Sequence, residues 1–319
     1  MKNNVELSVE DKKKRKRKIA IRVIVIVVAF ILVSNCIATK IIYDSIFSRY
    51  DGTPSFEVNE YSALIESRTA IDIAEDDETL KGYFYDVSDE KGIIIIAPGL
   101  HAGADDYLPM TGYFVEAGWD VFSFDPLGCC ESTGKSTVGF SQEIIDLDTV
   151  ITYVEANFPD EKIVLFGHSR GGFAVCSMLE SSHDIEAVVT VSGLNSAMEA
   201  VIGLSERYIG KAANINYFNL WAYQVILFDK ATMDIQADDA ISSSDIPVLV
   251  IQGSGDHTAP ADEYSVYSHN DEITSNTVEY ILCSDEGSNG HTDLMFDDDG
   301  VNDAMMAEVI EFFEEAIAE

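Results

Sequence analysis

Three residues of this sequence have the types and the chain order that acyl-transfer chemistry needs: Ser169, Asp256 and His291. A serine hydroxyl is a weak nucleophile at neutral pH, so it requires a base to take its proton and an acid to hold that base. Ser169 lies in Gly167-His168-Ser169-Arg170-Gly171-Gly172. In a Gly-x-Ser-x-Gly pattern of this kind a strand turns so sharply into a helix that the serine Oγ is lifted clear of the sheet, and its neighbours must be small. The pattern alone arises by chance in many sequences. What gives it meaning is an acid and a base in the right loops, and the order serine, acid, base is the one a strand-turn-helix nucleophile calls for.

Asp256 falls in Gln252-Gly253-Ser254-Gly255-Asp256-His257-Thr258-Ala259-Pro260, after one strand-like run, and His291 falls in the 284–293 loop after another. A tetrahedral intermediate also needs two N–H groups for its oxyanion. Arg170 N–H, next to the nucleophile at a helix start, and Leu100 N–H, in the Pro98-Gly99-Leu100 turn, are the candidates. Of the other histidines, His168 should point away from the nucleophile and His257 adjoins the acid. His183 and His269 fall at helix ends, where surface or structural roles are the ordinary expectation. His101, in the loop facing the elbow, is placed for a substrate contact. This chemistry needs no metal and no organic cofactor. Asp297-Asp298-Asp299-Gly300 with Asp303 lacks the spacing and terminal Glu of a twelve-residue calcium loop, and reads as a solvated helix start.

Such residues need a scaffold, and the sequence supplies one from residue 80 onward. Strand-like runs at 80–87, 92–97, 119–124, 162–168, 187–191, 245–251 and 277–282 alternate with helical periods at 105–117, 140–157, 170–181 and 301–318. That alternation predicts a mostly parallel sheet with helices on both faces, whose reactive groups gather on loops past the strands' carboxyl ends. The rhythm pauses at about 193–244, a stretch rich in aromatics (Tyr208, Tyr217, Phe218, Trp221, Tyr223, Phe228), and a helical cap is expected there. Some of these aromatics should line an apolar pocket.

The 319 residues carry a formal charge of -36, unevenly spread: residues 1–22 hold nine Lys or Arg and three acids, leaving 11 basic and 53 acidic residues beyond them. Nucleic acid is therefore excluded as a partner of the main domain. Seven consecutive basic residues, 12–18, precede an apolar run, 19–39, long enough at about 1.5 Å per residue to cross a bilayer. The expected layout is a basic cytoplasmic tail (1–18), a transmembrane signal anchor (19–39), a juxtamembrane connector (40–79) and an extracytoplasmic domain (80–319). A cleaved signal would require a small-residue site near 33–39, and none is clear; Cys36, preceded by Asn35, is a poor lipoprotein site. Five cysteines without paired spacing give no disulfide framework, and Cys176 and Cys283 read as buried thiols.

From about residue 80 the chain resembles the α/β-hydrolase superfamily, in particular its lysophospholipase-like and serine-aminopeptidase-like members with a helical cap. The matching segments are Gly167–Gly172, Gly253-Ser254-Gly255-Asp256 with Pro260, Gly290-His291, and the 125–134 loop, which is similar to an Asp-x-x-Gly-x-Gly-x-Ser segment. Pro98-Gly99 stands where members often carry His-Gly. The resemblance implies an α/β-hydrolase sheet with an inserted cap and a serine hydrolase acting on a small-molecule or lipid-like acyl ester, which the apolar run 19–39 would hold to a membrane. A peptide amino terminus is the alternative substrate, since an acidic rim would attract an amine. A binding domain without activity is the alternative outside enzymes.

Overall fold

The computed structural model describes residues 8–88, 90–285, 287–297 and 300–318, so most of the loop Asp297 to Gly300 and the first seven residues of the tail lie outside the described residues. The chain divides into two compact units, Met1–Ser45 and Ile46–Glu319.

The first unit is nearly all one helix, α1 (Val9–Ile46), which runs on into the start of the second. It is longer than the apolar run because Lys and Arg are good helix formers and ion pairs one turn apart, Lys14 with Glu10 and Lys40 with Asp44, carry it on at both ends. The helix is long and apolar enough to span a membrane, and its apolar side chains between Ile19 and Val33 are exposed.

In the second unit eight strands form one sheet in the order β1-β2-β4-β3-β5-β6-β7-β8: β1 (Thr69–Glu75), β2 (Glu78–Tyr85), β3 (Ile93–Ala97), β4 (Asp120–Asp125), β5 (Ile163–His168), β6 (Ile185–Val191), β7 (Val248–Gly253) and β8 (Val278–Cys283). The pairs β1–β2 and β2–β4 are antiparallel and the others parallel. β3 sits inside the sheet with all five residues buried, as its unbroken isoleucine run requires of a strand covered on both faces. Ile94 and Ile96 pack on one face with Phe114 of α3 (Leu108–Glu116) and Phe313 of α11 (Asp303–Ala318). On the other face lie α4 (Phe140–Asn157) and α5 (Arg170–Ser177), the latter against β5, β6 and β3.

Two elements depart from expectation. β1 lies in the stretch read as connector. Asp72 and Glu75 mask its alternation, but Ile73 is buried opposite Leu80, and the hairpin to β2 turns through Asp76 at φ +47°. The domain thus includes an edge strand before residue 80, after the short α2 (Ser62–Ser67). Cys283, read as buried, is only partly so, because β8 is the sheet's other edge. The stretch expected to form the cap folds as α6 (Ala197–Ile209), α7 (Ala212–Ile215), α8 (Tyr217–Leu227), α9 (Lys230–Met233) and α10 (Ala237–Ser242).

Candidate active site

Ser169 follows β5 directly and precedes α5, with φ +56° and ψ -113°, a left-handed backbone that costs an L-residue energy and persists where the surroundings enforce it. The enforcement is steric. A Cβ on Gly171 would lie 2.0 Å from the Ala97 carbonyl oxygen, and one on Gly167 would lie 2.4 Å from the Gly171 oxygen. No side chain fits at either place.

The loops after β7 and β8 bring the other two residues to it. Ser169 Oγ–H donates to His291 Nε2 at 2.8 Å, and His291 Nδ1–H donates to Asp256 Oδ2 at 2.7 Å. Asp256 is buried, which by itself would push its carboxyl up. Hydrogen bonds from His291 and from the N–H groups of Ala259 and Thr258 outweigh that, and hold it below the ordinary carboxylate range. Gln252, at the end of β7, also donates to Asp256 Oδ2, at 3.2 Å.

The turn expected to supply the oxyanion contacts lies against the nucleophile: a Cβ on Gly99 would come within 3.4 Å of Ser169 Cβ. Leu100 lines the cavity at Ser169, and Arg170 opens α5, where an N–H has no helical acceptor. Pro98 supplies no N–H to this turn. It is fixed instead by Gly99 N–H donating to Tyr107 Oη at 2.9 Å. Tyr107 O–H donates to His168 Nδ1 at 2.7 Å, and His168 Nε2–H donates to the His291 carbonyl at 3.0 Å. Through these bonds the His168 ring joins the turn at Gly99 to the loop of His291. Burial, then the neighbouring His291, lowers its pKa from 6.5 to about 3, so it is neutral.

The Arg170 side chain is the feature sequence reasoning missed. It is fully buried beneath the elbow and pairs with Glu143 of α4 at 2.5 Å. Burial pushes the Glu143 carboxyl up, and Arg170 opposes that rise. The local signal is a pair of acids, Glu143 and Asp146, among the buried residues of α4. Cys130 occupies the second Gly position of the segment in the 125–134 loop and holds φ +44°.

Two cavities meet at Ser169, and Leu100, His101, Ser169 and His291 line both. The larger, about 330 Å³, is walled by Phe140, Leu194, Ala200, Leu204 and Tyr208 and holds Arg207 but no carboxylate. The smaller, about 220 Å³, includes Asp106 and Thr292. His101, at φ +57° and with its pKa lowered by burial and Arg170, stacks on Tyr50 in the shared wall. Of the cap aromatics only Tyr208 reaches the larger cavity; Tyr217 and Trp221 line a different hollow and Phe218 is exposed. The cap-helix residues that face the larger cavity, Ala200, Leu204, Arg207 and Tyr208, all lie on α6.

With this sheet order, elbow and loop arrangement, the chain has the fold of the α/β-hydrolase superfamily. Within it, the family model described as serine aminopeptidase, S33, matches residues 88–214, less than half of the chain. Similar solved structures include an esterase of Pyrococcus furiosus (19% identity, TM-score 0.63, covering 85% of this chain and 99% of that one). Est1E of Butyrivibrio proteoclasticus, solved with ferulic acid bound, is 18% identical, with TM-score 0.56 over 78% of this chain and all of its own. The α/β hydrolase GrgF of a Penicillium species is 17% identical, with TM-score 0.57 over 79% of this chain and 99% of its own. At these identities the likeness is one of fold. No curated protein matches the chain in sequence.

Proposed function

We propose that the protein is a serine hydrolase that cleaves a carboxylic ester of a small or lipid-like acid through an acyl-enzyme and is held to a membrane by α1. The observation that carries this reading is the Ser169–His291–Asp256 hydrogen-bonded chain at 2.8 and 2.7 Å, opening into an apolar cavity. Fold and family match support a hydrolase. In this reading His291 takes the Ser169 proton as Oγ attacks the carbonyl, and Asp256 holds the imidazolium that forms. The Leu100 and Arg170 N–H groups receive the oxyanion, and His291 returns the proton to the leaving alcohol. Water then attacks the acyl-enzyme by the same route. The acyl chain fits the larger cavity and the alcohol the smaller.

A second reading, hydrolysis of an amide beside a free amino terminus, is favoured by the family model's description and by Asp106 in the smaller cavity. The acidic rim expected to attract an amine is absent from the larger cavity, where the charged side chain is Arg207. One experiment tests both readings: a fluorophosphonate probe, then acyl 4-nitrophenyl esters against aminoacyl 4-nitroanilides. Labelling at Ser169 and ester turnover, both lost in Ser169→Ala, are expected. Faster anilide turnover would favour the peptidase, and an unlabelled, folded chain would leave a binding domain.

A further inference from the structure

His269 lies about a turn of chain beyond the Asp256 loop, in the short 3₁₀ turn Tyr267–His269, and three carboxylates converge on it. Glu272 Oε2 is 3.3 Å and Asp238 Oδ2 3.6 Å from its Nδ1, and Glu199 Oε2 is 3.7 Å from its Nε2. Three acids therefore face a single imidazole. The Asp238 side chain is only 10% exposed, yet among the described residues its Oδ1 has no hydrogen-bond partner, and neither has the buried Glu199 Oε2. A buried carboxylate oxygen without a hydrogen bond is costly, and one imidazole cannot neutralise three acids, so this cluster calls for a cation.

We propose that Asp238, His269 and Glu272 bind a divalent transition-metal ion such as Zn²⁺ or Mn²⁺ at the root of the cap. The donor atoms already lie within 4.8 Å of one another, and ligands around such an ion stand about 3.4 Å apart. Closing that difference takes a side-chain rotation, for which Glu272, 69% exposed, is free. One imidazole nitrogen with two carboxylates suits Zn²⁺ or Mn²⁺ better than Ca²⁺, which takes oxygen ligands. The position of Glu199 fits the same assignment. With the ion on Nδ1, the ring's Nε2–H turns to Glu199, the outer carboxylate that orients a metal-bound histidine. Glu199 opens α6, whose next turns form the cavity wall at Ala200 and Leu204, and Asp238 opens α10 at the cap's end. The ion would thereby tie both ends of the cap to the body of the domain.

The test is calorimetric titration of the full chain in detergent, stripped with a chelator, with ZnCl₂, MnCl₂ and CaCl₂. Expected are one equivalent of Zn²⁺ or Mn²⁺ bound at micromolar or tighter concentration, Ca²⁺ at least tenfold weaker, and a metal-dependent rise in the thermal midpoint. His269→Ala should abolish both effects. Glu272→Gln, at an exposed position that leaves the fold intact, should weaken binding tenfold or more. Glu199→Gln should weaken it about 10- to 100-fold with the stoichiometry unchanged. Absence of saturable Zn²⁺ or Mn²⁺ binding would overturn the proposal, as would Ca²⁺ binding equally well. So would binding that His269→Ala and Glu272→Gln leave unaltered, which is the behaviour of a generally acidic surface.

Discussion

His168 ties the turn at Gly99 to the loop of His291, because it accepts from Tyr107, which itself accepts from Gly99 N–H, and donates to the His291 carbonyl. Its pKa near 3 has a consequence for stability. Between pH 6.5 and 3 the unfolded chain takes up a proton at this ring that the folded chain refuses, so stability falls as pH falls, by about 1.4 kcal/mol per pH unit. Groups such as Asp125, raised to about 6 by burial, work in the opposite direction, so total stability does not isolate the effect. The difference between wild type and His168→Gln does. Measured by urea unfolding, the wild type should lose about 2 kcal/mol more than the variant between pH 7 and pH 5. Equal losses would show that the ring takes up its proton in the folded state.

At the scale of elements, α5 follows Ser169 directly and rests on α4 through the Arg170–Glu143 pair, both side chains fully buried. Removing one partner strands the other charge, so Glu143→Ala should cost about 3 to 5 kcal/mol in denaturant unfolding. Loss of less than about 1 kcal/mol would mean that water or a rearranged acid replaces the carboxylate. Little of this pair was legible in the sequence. The sequence reading used only the backbone N–H of Arg170, and acids on α4 do not by themselves tell which side chain they will meet across the gap. The elements themselves were legible, since the isoleucines of β3 and the valine-rich β6 admit only buried strands. So was the meeting of Ser169, Asp256 and His291, because parallel topology sends all three loops to one edge of the sheet. Two features were hidden for physical reasons: β1, an edge strand whose polar face looks like connector, and the cavity wall, which depends on how the cap's helices pack.

The whole molecule is a strongly polarised object, with nine basic residues in its first 22 and 53 acids beyond them. The positive-inside rule predicts that the basic run stays cytoplasmic and that the acidic second unit lies on the other side of the membrane proposed to hold α1. A domain of that charge is repelled by an anionic lipid surface wherever it lies within a Debye length, about 8 Å at physiological salt, so the proposed attachment rests on α1 alone. This gives two separable outcomes. In membranes from expressing cells the chain should remain with the pellet in high salt and alkaline carbonate, and leave it only in detergent, because burial of the apolar stretch is insensitive to ionic strength. Protease added outside intact cells should digest residues 46–319 while an epitope tag at the N-terminus survives. Release by salt alone would make the attachment electrostatic, and loss of the tag from the pellet without protease would make α1 a cleaved signal.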